Sequence, residues 1–261
     1  MSRIFDTFLF HNEVDLLQCR LEELAPVVDR FVIVECGETH QGAAKVSNFI
    51  SHMEHFFPWK EQIEYVWVPK LKESDPKLRE HEHRDWIRHG LRLNSVEPDD
   101  IVIHSDVDEI LTRASVVALH QKLAAVPGNI IAFDQSPRYF AVDWQHPRRC
   151  PIAPAARRYR NIGSFWNMRK DSVEAPCIPN AGWHFSWLGG SVEHLAKIDS
   201  IYEGPAIASM RPHLMAGNNW RLGIHVDGVQ MAPVDLDDNF PAFIRERRCP
   251  PSWFRPRPEK T

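Results

Sequence analysis

No stretch of the chain reaches the ~18 uninterrupted apolar residues that span a bilayer. Neither sign of charge dominates: 31 Lys+Arg stand against 35 Asp+Glu, a formal net charge of −4 with histidine neutral. The first absence argues against a transmembrane helix. The second excludes a strongly basic nucleic-acid binder, because neutralising phosphates takes a clear surplus of Lys and Arg. Cysteine is sparse as well. The five (Cys19, Cys36, Cys150, Cys177, Cys249) are odd in number and scattered, with no CxxC pair to hold zinc. That pattern fits a reducing compartment and leads to the expectation of a cytoplasmic protein. The opening MSRIFDTFLFHNEVD has a single basic residue, a very short apolar run and no small-residue cleavage site, so it reads as a first strand and not a signal peptide.

What the chain does have is ordinary globular composition, 43% hydrophobic and 25% charged, which supplies a sizeable core and is too apolar for disorder. Its 261 residues make one large domain or two small ones. Histidine (14) and tryptophan (9) are abundant, both common in polar or sugar-binding sites.

The first half alternates two periodicities. Residues 3–10 are strand-like, and from Asn12, as N-cap, Val14, Leu17, Leu21 and Leu24 recur at helical spacing. RFVIVEC (30–36) is a buried-strand run, 47–57 a short helix ended by Pro58, and QIEYVWV (62–68) a third strand. A long charged helix is expected over 76–96, a strand at 101–103 running into an acidic turn, a helix over 113–125, and one or two strands over 129–144. Strands alternating with helices predict an α/β domain with a mostly parallel central sheet flanked by helices. In such sheets ligands sit beyond the carboxyl ends of the strands. From 147 to 190 Pro, Gly and Trp are dense, which predicts loops packed over the sheet and a place for an acceptor site. CPPSWFRPRPEKT (249–261) carries four prolines and reads as an extended or partly disordered tail. The expected division is one domain over 1–245 and a Pro-rich tail over 246–261.

Ser105-Asp106-Val107-Asp108-Glu109 is the most informative segment. In extended geometry Asp106 and Asp108 project to the same side, and two crowded carboxylates repel unless a cation sits between them. Mn²⁺ or Mg²⁺ accepts one or two carboxylates plus phosphate oxygens, so a D-x-D at a strand end suits a metal bridging to a nucleotide diphosphate. The plainer reading is a solvated turn ahead of the next helix. A second cluster, His81, Asp85 and His89, recurs at i, i+4, i+8 on the long helix. Asp85 stands where a zinc protease motif needs its second His, and with Glu80, Arg84 and Arg88 interleaved a solvated charged face is the better account.

Taken together, FLFHNEVDLLQCRLEEL (8–24), VVDRFVIVECGETHQG (27–42), DDIVIHSDVDEI (99–110) and AGWHFSWLGGSVEHLAKI (181–198) resemble glycosyltransferase family 17, with weaker matches at 226–228 and 237–244. The resemblance implies a GT-A type fold and a metal-dependent, inverting glycosyltransferase. Such an enzyme moves a sugar, N-acetylglucosamine from its uridine diphosphate donor, onto a glycan hydroxyl. Carried onto this sequence it implies Asp106, Asp108 and His184 at a Mn²⁺ or Mg²⁺ ion. Glu13, Glu35, Asp106, Glu109 and Lys197 would lie on the donor side, and Arg84 or Trp86 would reach the donor. Trp183 and Trp187 would stand as sugar platforms. An inverting transfer also needs a base for the acceptor hydroxyl, and Glu193 is the first candidate, Asp143 the second.

Each of these residues has a plainer reading. Glu193 can belong to a helix start capped by Ser191, His184 can be a hydrogen-bonded core histidine, and Trp183 and Trp187 can be core packing. Glu35 can pair with a nearby Arg or Lys, Asn12 and Glu13 can merely cap the first helix, and Lys197 can be a solvated charge. Two alternatives to the leading function stand beside it: a same-fold transferase with a different donor sugar, and a non-catalytic carbohydrate-binding relative. Two carboxylates at a strand end favour the enzyme, since a binding module does not need them.

Overall fold

The computed structural model describes residues 2–126 and 130–256. A ten-stranded mixed sheet runs through it, with helices on both faces. β1 (Ile4–Phe10) leads through α1 (Val14–Leu24) to β2 (Arg30–Cys36), then by way of two short helices, α2 (Asn48–Ser51) and α3 (Met53–Phe56), to β3 (Ile63–Val68). α4 (Pro76–Asp85) and α5 (Ile87–Leu93) cross back to β4 (Ile101–Asp106), which lies on the other side of β1. All the pairings in β3-β2-β1-β4 are parallel. Their residues are buried on both faces: Phe31 and Ile33 of β2 pack toward α1, while Val32 and Val34 pack toward α5. That two-sided burial is why these strands read as continuous apolar runs.

Beyond β4 the sheet changes character. β8 (Ala155–Arg158) is antiparallel to β4 and to β6 (Ile130–Tyr139), and β7 (Trp144–Gln145) and β10 (Ala232–Pro233) continue it antiparallel at the edge. The expected central sheet flanked by helices is therefore present, parallel over its first four strands and largely antiparallel beyond them. β5 (Glu109–Leu111) and β9 (Cys177–Ser186) pair with each other off this path, and β9 also runs parallel to β6. The 147–190 stretch, expected as loops, thus holds β8, α8 (Phe165–Asp171) and the ten-residue β9. Proline and glycine masked it: Gly182 sits where a Cβ would collide with the Ile110 carbonyl, so this glycine permits close strand approach and does not mark a turn.

Other boundaries shift too. The helix expected over 76–96 breaks at Trp86, and that over 113–125 divides at Ala118 into α6 (Arg113–Val117) and α7 (Leu119–Ala125). The N-cap of α1 is Glu13, not Asn12. The tail is neither loose nor a strap over its described part: Cys249, Trp253 and Phe254 are buried against Leu16, Ile110 and Phe185. All five cysteines are free. No helix among the described residues is long and apolar enough to cross a membrane.

Candidate active site

Strand order reverses direction between β1 and β4, and at such a switch point the following loops part and leave a crevice at the carboxyl ends. A cleft of about 620 Å³ opens there, lined by the ends of β1, β2, β4 and β9, by one face of α4, and by α9 (Ser191–Ser200).

The acidic turn forms its β4 wall. Val107 and Asp108 make a turn, not a continued strand, and β5 begins at Glu109. Arg20 of α1, fully buried, holds the turn from beneath. Its guanidinium pairs with buried Asp6 at 2.6 Å and donates to the carbonyls of Asp106 (2.7 Å) and Glu109 (3.0 Å) and to Ser105 Oγ. One planar fork thus holds three oxygens of the turn as well as Asp6, in a way a lysine could not.

Asp106 is gripped on both oxygens, Oδ1 by Arg84 at 2.8 Å and Oδ2 by Arg169 at 2.9 Å. Desolvation alone would raise its pKa; the two guanidinium charges outweigh it and hold Asp106 far below the usual carboxylate range. Each arginine is itself anchored by a buried acid, Arg84 by Glu80 at 2.6 Å and Arg169 by Glu109. Asp108 is placed differently. Its Oδ1 lies 3.7 Å from His184 Nε2 and its Oδ2 3.4 Å from Lys197 Nζ. Register accounts for this: Glu109 of β5 faces His184 of β9, and the Phe185 N–H donates to the Asp108 carbonyl at 2.8 Å. Burial alone would lower the His184 pKa, yet the Asp108 charge lifts it to about 9. Asp108 likewise raises Lys197 against the same desolvation.

These distances test the expected metal. Two ligand atoms ~2.1 Å from one ion stand roughly 3–4 Å apart, so Asp108 and His184 fit as a ligand pair. Asp106 does not fit as a direct ligand, because an ion would have to displace Arg84 or Arg169. The cations that relieve the carboxylate crowding are these two arginines, Lys197 and His184. Among the described residues, the one trio of His, Cys, Asp or Glu whose ligand atoms lie mutually within 4.8 Å is elsewhere: His146, His225 and Asp227.

Of the other expected residues, Arg84, Glu13, Lys197, Trp187 and Glu193 line the cleft. Glu13 Oε2 accepts the N–H groups of His11 and Asn12, bracing the start of α1. Glu193 Oε2 accepts the Gly190 N–H at 2.8 Å, so it closes the first turn of α9, whose cap is Gly190 and not Ser191. Trp187 and Phe140 both have positive φ (58° and 68°), unusual for bulky side chains, and their rings pack together at the cleft wall.

Further expectations are corrected. Glu35 is fully buried and does not line the cleft; it holds Lys45, Ser47, Tyr65 and the N–H groups of Asn48 and Phe49, a structural hub for the 40s loop. Glu109 lies behind the wall as the partner of Arg169. Asp143 lies outside the cleft and holds both the N–H (2.9 Å) and the Nε (3.1 Å) of Arg255. Trp183 is a core residue stacked on Phe185 and Phe240, not a sugar platform. Trp86 does not line the cleft either, and the His81-Asp85-His89 stripe is interrupted by the break at Trp86.

Sequence reasoning missed Arg20 and Arg169, and also Lys45, His40 and His83, which line the cleft. A signal existed for Arg169: Phe165 and Met168 are apolar at i and i+3, which puts i+4 on the same buried face. Lys45 sits in a loop with no periodicity to read.

The family model of glycosyltransferase family 17 matches residues 1–200. The "Beta-1,4-mannosyl-glycoprotein 4-beta-N-acetylglucosaminyltransferase" of Rattus norvegicus and that of Homo sapiens are each 28% identical over 228 residues, covering 71% of this chain and 40% of theirs. The chain thus spans about two fifths of the length of these curated relatives. Among solved structures, a 4-diphosphocytidyl-2C-methyl-D-erythritol synthase aligns with a TM-score of 0.44 at 12% identity, covering 69% of this chain and 90% of its own. The S. aureus protein TarS (residues 1–349) aligns with a TM-score of 0.40 at 8% identity, covering 83% of this chain and 70% of that one.

Proposed function

Because the chain belongs to glycosyltransferase family 17, we propose that its cleft binds a nucleotide sugar and transfers the sugar, with inversion, to a glycan hydroxyl. The observation that carries this reading is the pairing at the strand ends. Asp108 stands 3.7 Å from His184 and 3.4 Å from Lys197, while Asp106 is already neutralised by two anchored arginines. An anionic diphosphate entering here meets Lys197 and Arg84 without meeting an uncompensated carboxylate. Asp108 and His184 would hold a divalent ion, which when bound stabilises charge on the departing diphosphate. The names of the curated relatives favour N-acetylglucosamine as the sugar, and the family resemblance favours uridine diphosphate as its carrier.

The chain's own groups have distinct tasks. Lys197 balances phosphate charge, and Arg20 and Arg169 keep the acidic turn in one geometry, so little reorganisation is needed as charge develops. Trp187 offers a ring face at the wall. Glu193 lines the cleft with Oε1 free of the Gly190 contact, and it is the base we assign to the acceptor hydroxyl. The carbohydrate-binding alternative loses one of its platforms, since Trp183 is buried in the core.

A hydrolysis screen across nucleotide sugars with Mn²⁺ tests the proposal, because slow donor cleavage needs no acceptor. Uridine diphosphate N-acetylglucosamine should be cleaved fastest. Asp108→Asn should lower that rate by about 100- to 1,000-fold, the usual cost of losing one transition-state electrostatic contact. If no nucleotide sugar is cleaved or raises the melting temperature of the unmutated protein, the assignment fails.

A further inference from the structure

We propose that His146, His225 and Asp227 form a second divalent-metal site, of the zinc class, outside the cleft. One ligand atom from each lies within 4.8 Å of the other two, and none of the three residues lines the cleft. His146 follows β7 and is held there by its N–H bond to the Pro137 carbonyl at 3.0 Å. His225 and Asp227 sit in a tight hairpin closed by the Ile224–Gln230 bridge, with Gly228 at φ 82°.

The second observation concerns His146. Its side chain is 6% exposed, and its Nε2 is buried without a hydrogen-bond partner. That atom points at Asp227 Oδ2, 3.8 Å away, too far for a hydrogen bond and right for two ligands of one ion. The other ring nitrogen, Nδ1, lies 3.1 Å from the Arg148 carbonyl. The Arg148 N–H also lies 3.2 Å from Nδ1, so this nitrogen can accept or donate; when it donates to the carbonyl, the usual arrangement for a metal-bound imidazole, the lone pair is left on Nε2. Asp227 is oriented in turn: its Oδ1 accepts the Val229 N–H at 3.0 Å and lies 2.8 Å from His225 Nδ1. Largely exposed Arg148 reaches Asp227 Oδ2 at 3.7 Å and can swing into solvent when an ion binds.

Two imidazoles and one carboxylate suit Zn²⁺ and its first-row neighbours, whereas Mg²⁺ and Ca²⁺ prefer all-oxygen sets. The Tyr139 ring stands edge-on to His146, His225 and His184, so one aromatic ring separates this trio from the Asp108 pair. An ion here would fasten the 224–230 hairpin to the end of β7, with a coordination position left for water.

To keep the two sites apart, the full chain is prepared as Asp108→Asn, stripped with chelator and dialysed against Zn²⁺ alone, with bound metal counted by elemental analysis. One retained equivalent is expected. Adding His225→Gln or, separately, Asp227→Asn should abolish it, and the visible absorption of Co²⁺ bound to the Asp108→Asn chain should vanish with it. Asp227→Asn keeps an acceptor for the Val229 N–H, so it reports even where His225→Gln misfolds. Absence of a retained equivalent in the Asp108→Asn chain overturns the proposal and leaves a plain His–Asp contact. Survival of that equivalent in both added variants overturns it equally.

Discussion

On the β4 wall of the cleft each charged side chain is backed by a buried partner of opposite sign: Arg20 by Asp6, Arg169 by Glu109, Arg84 by Glu80. On the α9 wall, Lys197 reaches Asp108 and Ser186 only at 3.4 Å each, and Glu193 is held by a single backbone N–H. The first wall is a closed network in which removing any member strands a buried charge. The second is a helix end whose groups keep spare hydrogen-bonding capacity. A cleft made this way has its charge pattern fixed on one side and its adjustable groups on the other. That division lets one rigid turn present the same field while the opposite helix accommodates the ligand.

The difference should appear first in stability. Arg20→Met strands Asp6 in an apolar interior and removes the donors that hold the Asp106 and Glu109 carbonyls. Losing one partner of a buried pair costs about 3–5 kcal/mol, and urea unfolding should show a drop of that size. A loss under about 1 kcal/mol would mean that the β4 wall is no more rigid than the α9 wall. The converse experiment is Glu193→Gln. Glutamine keeps an acceptor for the Gly190 N–H, so stability should barely change. Removing the base should nonetheless slow sugar transfer by about 100-fold or more. If transfer is unaffected while melting shifts, Glu193 is only a helix cap.

These contrasts also explain what could be read from the chain before it was folded. β1, β2 and β4 were legible because burial on both faces writes uninterrupted apolar runs such as RFVIVEC and DDIVI. The cleft was legible at Asp106 and Asp108, since adjacent carboxylates after a buried strand are costly without a reason. What stayed hidden was pairing at long range. Nothing local in Arg20 says that it will reach across 86 positions to the Asp106 carbonyl, nor in Arg169 that it will take the second oxygen of Asp106. β9 was hidden because its Pro179, Asn180 and Gly182 look like loop chemistry. Only the register against β5 shows that Gly182 is there for close approach. Asp143 was misread for a related reason, its partner Arg255 lying 112 positions away.

Acid should loosen the β4 side next. Burial keeps His83 and His104 far below the ordinary histidine range and brings His40 down to about 3. The folded chain therefore leaves them neutral where the unfolded chain, titrating near 6.5, binds protons. The stability these three supply is full above pH 6.5 and falls as pH drops through the interval between the unfolded and folded values, by up to roughly 1.4 kcal/mol per histidine for each pH unit. His184, raised to about 9, contributes a constant amount there, because its own contribution fades only as pH climbs from 6.5 through 9. Asp106, held low, acts only near and below the ordinary carboxylate value. A urea midpoint lower at pH 5.0 than at 6.5, an interval over which the His184 contribution stays constant, is expected. An unchanged midpoint would mean that these imidazoles are hydrated, and the wall with them.

The smallest effect is expected behind the site. Asp143→Asn removes a charge but keeps an oxygen for the Arg255 N–H, so the described end of the tail stays docked through Trp253 and Phe254. The lost ion pair is partly exposed, with Arg255 at 35%, and such pairs contribute about 1 kcal/mol at most. Transfer and donor cleavage should match the unmutated protein, because Asp143 does not line the cleft. A carboxylate acting as base cannot become an amide without a large loss of rate. A 100-fold fall in transfer with unaltered melting would therefore return Asp143 to the reaction. It would also require the Arg255 contact to open during turnover, making the tail, and not α9, the adjustable side of the molecule.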